Sequence, residues 1–196
     1  MSHRNMRLLV LLPALLAGNC ALVPGEIPRA PRDQAPAVVF DVDGTLTPRP
    51  IEFFEARNDA AKAAHLYADK GYEIIYLSAR SQYQRTRTLA WLKAHGFPDG
   101  ITRVAETTAD GQHPIEFKTR ILTALFAKGW RVDYAYGDSS TDFSAYASVA
   151  IPSAHVFALR RAGSKHCQSG PAAACLRGWT EHLDFIANAV PPVPEQ

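Results

Sequence analysis

Apolar and polar positions follow a regular order from residue 37 onwards, where short β-rich runs alternate with longer helical stretches. Strands that alternate with helices are typical of a doubly wound α/β fold with a Rossmann-like parallel sheet and right-handed crossovers. The predicted strands cover residues 37–41, 72–77, 101–105, 132–136 and 156–159. The predicted helices cover residues 53–69, 81–95, 114–128, 141–148 and 178–189.

The first 25 residues follow a different pattern. Arg4 and Arg7 precede a short apolar run over residues 8–18 that ends in small residues. A basic start, a short apolar run and a small-residue exit predict a secretory signal peptide over residues 1–20. The run is shorter than the roughly 20 apolar residues that span a bilayer. The alternative is a buried first helix, and Pro13 counts against it.

Residues 16–20 end in Cys20 and resemble a bacterial lipoprotein signal, in which the cysteine is lipidated. Asn19 departs from that pattern, so ordinary cleavage nearby is the alternative. Residues 21–36 contain four prolines and read as a Pro-rich tether. We therefore expect an exported protein, periplasmic or secreted, with a lipid anchor on Cys20 as one form of it.

Two further cysteines bear on this expectation. Cys167 and Cys175 lie in a loop-like segment with Gly and Pro, and in an oxidising compartment they would form a disulfide. In a reducing compartment they would be two free thiols. The expected globular domain covers residues 37–190, with a tail over residues 191–196.

The net charge of the chain limits the kinds of partner that it can bind through electrostatic attraction. The chain has 21 basic and 19 acidic residues, and the predicted signal removes two arginines and no acid. A net charge near zero gives no global electrostatic case for nucleic acid or an anionic membrane. Any contact with lipid would therefore be local and peripheral.

Asp41 and Asp43 come at the end of the first predicted strand, in Asp41-Val42-Asp43-Gly44-Thr45. In doubly wound folds, ligands bind beyond the carboxyl ends of the strands. One carboxylate there can act as a nucleophile and the other as a general acid and base. Gly44 permits a tight turn, and the Thr45 hydroxyl can bind a phosphate oxygen. Alone, this segment could also be an Asx-turn or a calcium-binding loop, although the later ligands of an EF-hand are missing.

Other polar residues follow later strands. Ser78 ends the second strand, where a hydroxyl suits phosphate binding but also helix capping. Lys118 lies near a helix start and can offset transition-state charge, although a single lysine is usually solvated. Asp138 and Asp142 follow the fourth strand and can supply oxygen ligands to Mg²⁺, or simply cap the next helix.

The joint order of these residues resembles the haloacid-dehalogenase superfamily of phosphotransferases, over about residues 37–159. The resemblance implies that Asp41 is the nucleophile, Asp43 the acid and base, and Lys118 a catalytic cation. It implies Mg²⁺ bound by the Asp41 side chain, the Asp43 backbone carbonyl and the acids Asp138 and Asp142. It also implies phosphoryl-group contacts from Gly44, Thr45, Ser78 and Lys118.

A narrower set of segments is similar to the catalytic domain of lipins, which are phosphatidate phosphatases. These are residues 41–47, 76–80, 117–118, 141–146 and 149–152. The related domain of phosphatidylinositol-transfer proteins is also similar, and is associated with lipid binding rather than hydrolysis. The chain departs from lipins at Asp138, where they tend to carry Asn. The resemblance implies a Mg²⁺-dependent phosphatase for a phospholipid monoester such as phosphatidic acid. The alternatives are an exported phosphatase for soluble phosphomonoesters and a non-catalytic lipid-binding module.

Only about 25 residues separate Asp43 from the second predicted strand, and they read as a loop and one helix. That leaves little or no cap domain over the site. An open site suits a bulky or membrane-presented phosphate, although small phosphomonoesters can also enter it.

Overall fold

The computed structural model describes residues 26–52 and 54–194 as a parallel sheet between two layers of helices. The strands are β1 Ala35–Asp41, β2 Glu73–Ser78, β3 Ile101–Val104, β4 Trp130–Gly137, β5 Val156–Leu159 and β6 Ala174–Leu176. The helices are α1 Ala60–Asp69, α2 Arg85–Ala94, α3 Thr108–Gln112, α4 Pro114–Ala127, α5 Ser140–Ser148 and α6 Leu183–Asn188. The predicted doubly wound α/β fold is confirmed.

Strand β1 lies in the middle of the sheet, in the order β3-β2-β1-β4-β5-β6, and every pairing is parallel. All seven residues of β1 are buried, as expected for a strand covered on both faces. The strand order reverses direction beside β1, between β1 and β4. Such a switch point forms a crevice at the carboxyl ends of the two strands. Asp41 and Asp138 lie there.

Alternate residues of β1 serve the two core layers, because successive side chains in a strand point to opposite faces. Val38 and Phe40 belong to an aromatic-rich layer with α1, α2 and α6. Ala37 and Val39 belong to the layer formed with α4 and α5. The phenyl ring of Phe40 stacks on Tyr136 of β4 at a centroid distance of 5.3 Å. The central strands, which carry the site at their ends, are thus fixed by packing on both faces of the sheet.

The first predicted helix, over residues 53–69, is shorter in the structure. Helix α1 begins at Ala60, and Asp59 before it has a left-handed backbone conformation with φ of 62°. The backbone N–H of Arg57 donates to the carbonyl of Leu46 at 2.8 Å, which holds the preceding segment as a loop. Tertiary hydrogen bonding therefore overrides the local helix propensity.

The C-terminal region also differs from prediction. Strand β6 falls in a segment that reads as a loop, and it pairs with β5 through Ala158 and Cys175. Cys167 and Cys175 form a disulfide in the structure. The predicted helix over residues 178–189 is a 3₁₀ turn at 180–182 followed by the short helix α6.

The second half of the predicted tether lies against the domain. Ile27 is buried, and the carbonyl of Pro28 accepts a hydrogen bond from Trp130 Nε1 at 2.9 Å. The backbone N–H of Ala30 donates to the carbonyl of Lys128 at 2.8 Å. Prolines lower the chain's flexibility without preventing such packing, so composition did not reveal these contacts. Residues 1–20, with the predicted signal and Cys20, lie outside the described residues. Within the described part of the chain, no helix is both long and apolar enough to cross a membrane.

His182 leads to a prediction about stability and pH. It is buried and contacts the hydroxyl of Tyr136 through Nε2 at 3.0 Å. Burial lowers the pKa of His182 from 6.5 to about 4, against a smaller opposite effect of Glu181. The unfolded chain therefore binds a proton that the folded protein refuses, so the stability from His182 is lost as pH falls from 6.5 towards 4. We expect about 2 kcal/mol less unfolding free energy at pH 5 than at pH 7 from this residue.

The measurement is urea unfolding at pH 5 and pH 7, compared between the native protein and His182→Gln. The comparison of variants is needed because Asp41 and Asp138, whose pKa values are raised, act in the opposite direction. His166→Gln, at an exposed position, is the matched control. An unchanged pH dependence in His182→Gln would contradict the prediction.

Candidate active site

Asp41 lies at the carboxyl end of β1 with a side chain only 5% exposed. Its Oδ2 accepts a hydrogen bond from Thr45 Oγ1 at 2.9 Å, and its Oδ1 accepts one from Lys118 Nζ at 2.6 Å. Lys118 projects from the first turns of α4 and is also buried. Both oxygens of the carboxylate are thus held by hydrogen bonds at the end of the strand.

Lys118 also contacts Asp142, in the first turn of α5. Asp142 Oδ2 accepts hydrogen bonds from the backbone N–H groups of Asp138 and Ser139 at 3.2 and 3.0 Å. Ser139 returns a capping interaction to the Asp142 N–H, which forms a capping box. The capping role considered for these acids therefore falls to Asp142, which at the same time orients Lys118.

Asp138 is buried at the carboxyl end of β4 and forms an ion pair with Arg161. Gly44 closes over it: its φ is 84°, and a Cβ at this position would overlap the Asp138 carboxylate. Glycine is therefore required here both by backbone conformation and by close approach. One carboxylate oxygen from each of Asp41, Asp138 and Asp142 lies within 4.8 Å of the others.

The electrostatics reflect this crowding of acids. Burial raises the pKa of Asp41 well above its usual value, and Asp142 adds to the effect more than Lys118 opposes it. Burial likewise raises the pKa of Asp138, although its hydrogen bond with Arg161 acts in the other direction. Burial alone would lower the pKa of Lys118, but Asp142 and Asp41 raise it above its usual value. Lys118 is therefore charged, and the acid cluster favours further positive charge.

Asp43 lies beside this cluster and is more open, with 20% of its side chain exposed. Its Oδ2 accepts a hydrogen bond from Ser78 Oγ at 2.8 Å. Its Oδ1 accepts from Arg80 Nε and forms an ion pair with Arg80 Nη2, both at 2.8 Å. Ser78 therefore contacts the second acid in this structure, and its predicted contact with a phosphoryl group would require its hydroxyl to change partners.

The loop after Asp43 is tied down by Arg57. Its guanidinium donates to the carbonyls of Thr47, Gly44, Pro48 and Arg160, over distances of 2.6 to 3.3 Å. One side chain thus joins the loop that carries Gly44 to the loop that follows β5.

Every residue predicted for the site lies in or beside this cluster, and their functional roles remain proposals. Sequence reasoning missed Arg57 and Arg161, and a lone arginine at the position of Arg80 reads as a solvated surface residue. Arg80 is in fact 7% exposed, with its guanidinium 5.8 Å from the centre of the Trp91 ring. A signal existed for Arg161, because Arg160 and Arg161 directly follow the fifth predicted strand. For Arg57 no local pattern distinguishes a buried tie from a surface cation.

Arg57 gives a second prediction. Arg57→Met removes the donor for four backbone carbonyls and leaves part of them unsatisfied, so we expect the unfolding free energy to fall by about 2 kcal/mol. Thermal or urea unfolding checks this, with Arg49→Met as the matched control. Arg49 lies in the same loop with a side chain 52% exposed. Equal stability of the two variants would contradict the tie that the hydrogen bonds indicate.

The model of the LNS2 domain of PITM proteins 1–3 matches residues 38–160, which include Asp41, Asp43, Asp138 and Asp142. The chain belongs to the LNS2 domain family. Among curated relatives, Protein retinal degeneration B of Drosophila melanogaster is 31% identical over 150 residues, covering 74% of this chain. Membrane-associated phosphatidylinositol transfer protein 2 of Mus musculus is 29% identical over 133 residues, covering 65% of this chain.

The matched regions are a small part of those relatives, 12% and 10% of their respective lengths. Among solved structures, a protein of Mesorhizobium loti described as a HAD-like phosphatase aligns with a TM-score of 0.55 at 15% identity. The alignment covers 83% of this chain and 88% of that one. At this identity the likeness shows the fold, which is the haloacid-dehalogenase-like fold expected from the sequence.

Two expectations need correction or narrowing. The prediction of an exported protein, with or without an anchor on Cys20, is contradicted by relatives that are described as membrane-associated phosphatidylinositol transfer proteins. A basic start before a short apolar run is a weak pattern and did not suffice. The lipin resemblance is narrowed to the LNS2 domain of the transfer proteins.

Proposed function

We propose that this LNS2 domain is a Mg²⁺-dependent phosphatase that acts through a phosphorylated Asp41 on a phospholipid monoester such as phosphatidic acid. One observation carries the proposal. The Asp41 carboxylate is held by Thr45 and Lys118 at the switch point of the sheet, with a second acid, Asp43, beside it. A nucleophile, a cation and a proton carrier therefore lie at one place.

The residues present fit Mg²⁺. The donors are carboxylate oxygens, which are the ligands that hard divalent cations prefer. Three buried acids crowd against Lys118 and Arg161, and the absence of a side chain on Gly44 leaves room at Asp138. Asp41 and Asp138, with the Asp43 backbone carbonyl, would hold the ion. Asp142 would support it by orienting Lys118. When bound, Mg²⁺ supplies positive charge that lowers the repulsion between a phosphate and an attacking carboxylate.

The protein's own residues then divide the chemistry. An Asp41 oxygen attacks phosphorus, so a carboxylate–phosphorus bond forms while the bond to the alcohol oxygen breaks. Asp43 gives its proton to the departing alkoxide, then takes a proton from the water that attacks the acyl phosphate. The second attack releases inorganic phosphate and restores Asp41. Lys118 and Thr45 bind the phosphoryl oxygens and the nucleophile throughout, and Arg80 orients Asp43.

A lipid substrate is supported by two features. Several relatives are described as membrane-associated phosphatidylinositol transfer proteins. The segment between β1 and β2 holds a loop and the single helix α1, so no large cap stands over the described site. Phe54 in this loop is 80% exposed. These features favour a bulky amphiphilic phosphate over a small one.

The second candidate is a lipid-binding module that keeps the fold without turnover. The names of the relatives favour it, because transfer requires binding and not hydrolysis. Both acids of the Asp41-Val42-Asp43 segment are present here, together with Lys118, Asp138 and Asp142. That complete set favours catalysis.

The experiment is phosphate release by the purified protein from phosphatidic acid in mixed micelles and from p-nitrophenyl phosphate, with Mg²⁺ and with EDTA. We expect Mg²⁺-dependent release that vanadate inhibits, with the lipid as the better substrate. Much faster turnover of the soluble compound would reject the lipid substrate. Lipid binding without any phosphate release would support the second candidate.

A further inference from the structure

A groove runs along α2 and reaches Arg80, and it is distinct from the acid cluster that would hold the phosphoryl group. It has a volume of about 460 Å³, within the range of roughly 300–1,000 Å³ typical of small-molecule sites. Its apolar wall consists of Phe54, Ala90, Trp91 and Ala94. We call this site the α2 groove.

Arg80 links the α2 groove to the proposed proton carrier. It is part of the groove wall, its guanidinium lies over the Trp91 ring, and its Nε donates a hydrogen bond to Asp43 Oδ1. Asp43 would protonate the oxygen of the leaving alcohol. The remainder of that alcohol must extend from this oxygen, and the groove offers an apolar surface beyond the Arg80 side chain.

The wall of the groove is positively charged, which favours a ligand that carries an anionic group. Arg80 and Arg87 line it, and none of the described residues in its wall carries a carboxylate. The whole segment 79–95 contains no Asp or Glu. The far side is joined to α2 by a hydrogen-bonding contact between His95 Nε2 and the carbonyl of Phe54 at 2.8 Å. The groove thus has two arginines in its wall, one of them in contact with Asp43, and an apolar surface that ends at the loop of Phe54.

We propose that the α2 groove binds the hydrocarbon part of the alcohol that leaves during hydrolysis, so that the enzyme selects phosphate monoesters of long-chain alcohols. The proposal rests on the phosphatase function proposed above and adds the site that distinguishes long from short alkyl chains of the leaving alcohol. Ala90 and Ala94 lie one helical turn apart on α2 and keep the groove open because their side chains are small.

The test compares ethyl phosphate with octyl phosphate, which have the same type of leaving oxygen and differ in the chain. For the native protein we expect kcat/KM at least about tenfold higher for octyl phosphate. Ala94→Trp fills the groove and is expected to remove most of that preference. Leu89→Trp, on the same helix at an exposed position that does not line the groove, is the matched control and should retain the preference.

Thermal unfolding establishes that both variants fold. An octyl preference that survives Ala94→Trp, or that is absent in the native protein, would overturn the proposal. If neither ester is hydrolysed, the proposed function fails, and calorimetric binding of octylphosphonate against ethylphosphonate still tests the groove. Tighter binding of octylphosphonate that Ala94→Trp abolishes would support it. Equal binding of the two phosphonates would overturn it.

Discussion

Asp41→Asn is expected to lower phosphate release by at least about 1,000-fold, because an amide cannot replace the carboxylate as nucleophile. The variant should remain folded. Burial and Asp142 raise the pKa of Asp41, so a neutral group of the same shape relieves an unfavourable charge in the core. Kinetic assays with a phosphate monoester and Mg²⁺ measure the loss, and thermal unfolding verifies the fold.

The control for Asp41→Asn is Asp99→Asn, an exposed acid in the loop before β3, which should keep full activity. A direct test of the intermediate is to quench the native protein during turnover of a labelled substrate. Label that stays on the protein and is released by hydroxylamine identifies an acyl phosphate, and Asp41→Asn should carry none. Substantial activity in Asp41→Asn would show that another group attacks phosphorus.

The sequence supported the fold and the main site because both depend on local order. A short apolar run such as residues 37–40, in a chain where strands alternate with helices, is typical of a central strand, and polar residues directly after such strands meet at one edge of the sheet. Asp41, Asp138 and Ser78 could therefore be placed near each other without coordinates. Lys118 was placed there by family resemblance, and the structure positions it between Asp41 and Asp142.

The parts that sequence did not reveal depend on contacts between distant segments. Arg57 binds carbonyls on two loops, one of them 103 residues away, and nothing in its local sequence marks that partner. Strand β6 covers only Ala174–Leu176 and gains its partners from β5, so its own pattern is too short to predict. The N-terminal segment was predicted to be a tether because of its prolines, but Ile27 in it packs into the core.

Arg80 combines a position that the sequence indicates with contacts that only the structure shows. Its position after Ser78 placed it at the right edge of the sheet, but a lone arginine there reads as solvated. In the structure it is buried between Asp43 and Trp91, so it serves the second acid on one side and the α2 groove on the other. Arg80 is therefore involved both in the proposed proton transfer and in the proposed chain-length selectivity. To test the two separately, a variant must impair proton transfer without filling the groove.

Asp43→Asn provides that separation, and its effect should depend on the leaving group. With an alkyl phosphate the departing alkoxide needs a proton, so we expect a loss of about 100- to 10,000-fold. With p-nitrophenyl phosphate the leaving group departs without a proton, so phosphorylation of Asp41 should be much less affected. Hydrolysis of the acyl phosphate still needs a base, so the phosphorylated protein should accumulate. Rapid mixing should then show a burst of p-nitrophenolate close to one equivalent of protein, followed by slow turnover.

Glu55→Gln, an exposed acid in the loop after β1, is the matched control and should show neither the burst nor the loss. The octyl-to-ethyl preference should persist in Asp43→Asn, because the apolar wall of the α2 groove is untouched. An equal loss for alkyl and aryl substrates without a burst would mean that Asp43 only anchors Arg80. The leaving-group dependence of the loss therefore distinguishes a proton carrier from a structural partner of the guanidinium. Removal of a proton donor slows the reaction most for the more basic departing oxygen, whereas removal of a structural partner slows both substrates alike.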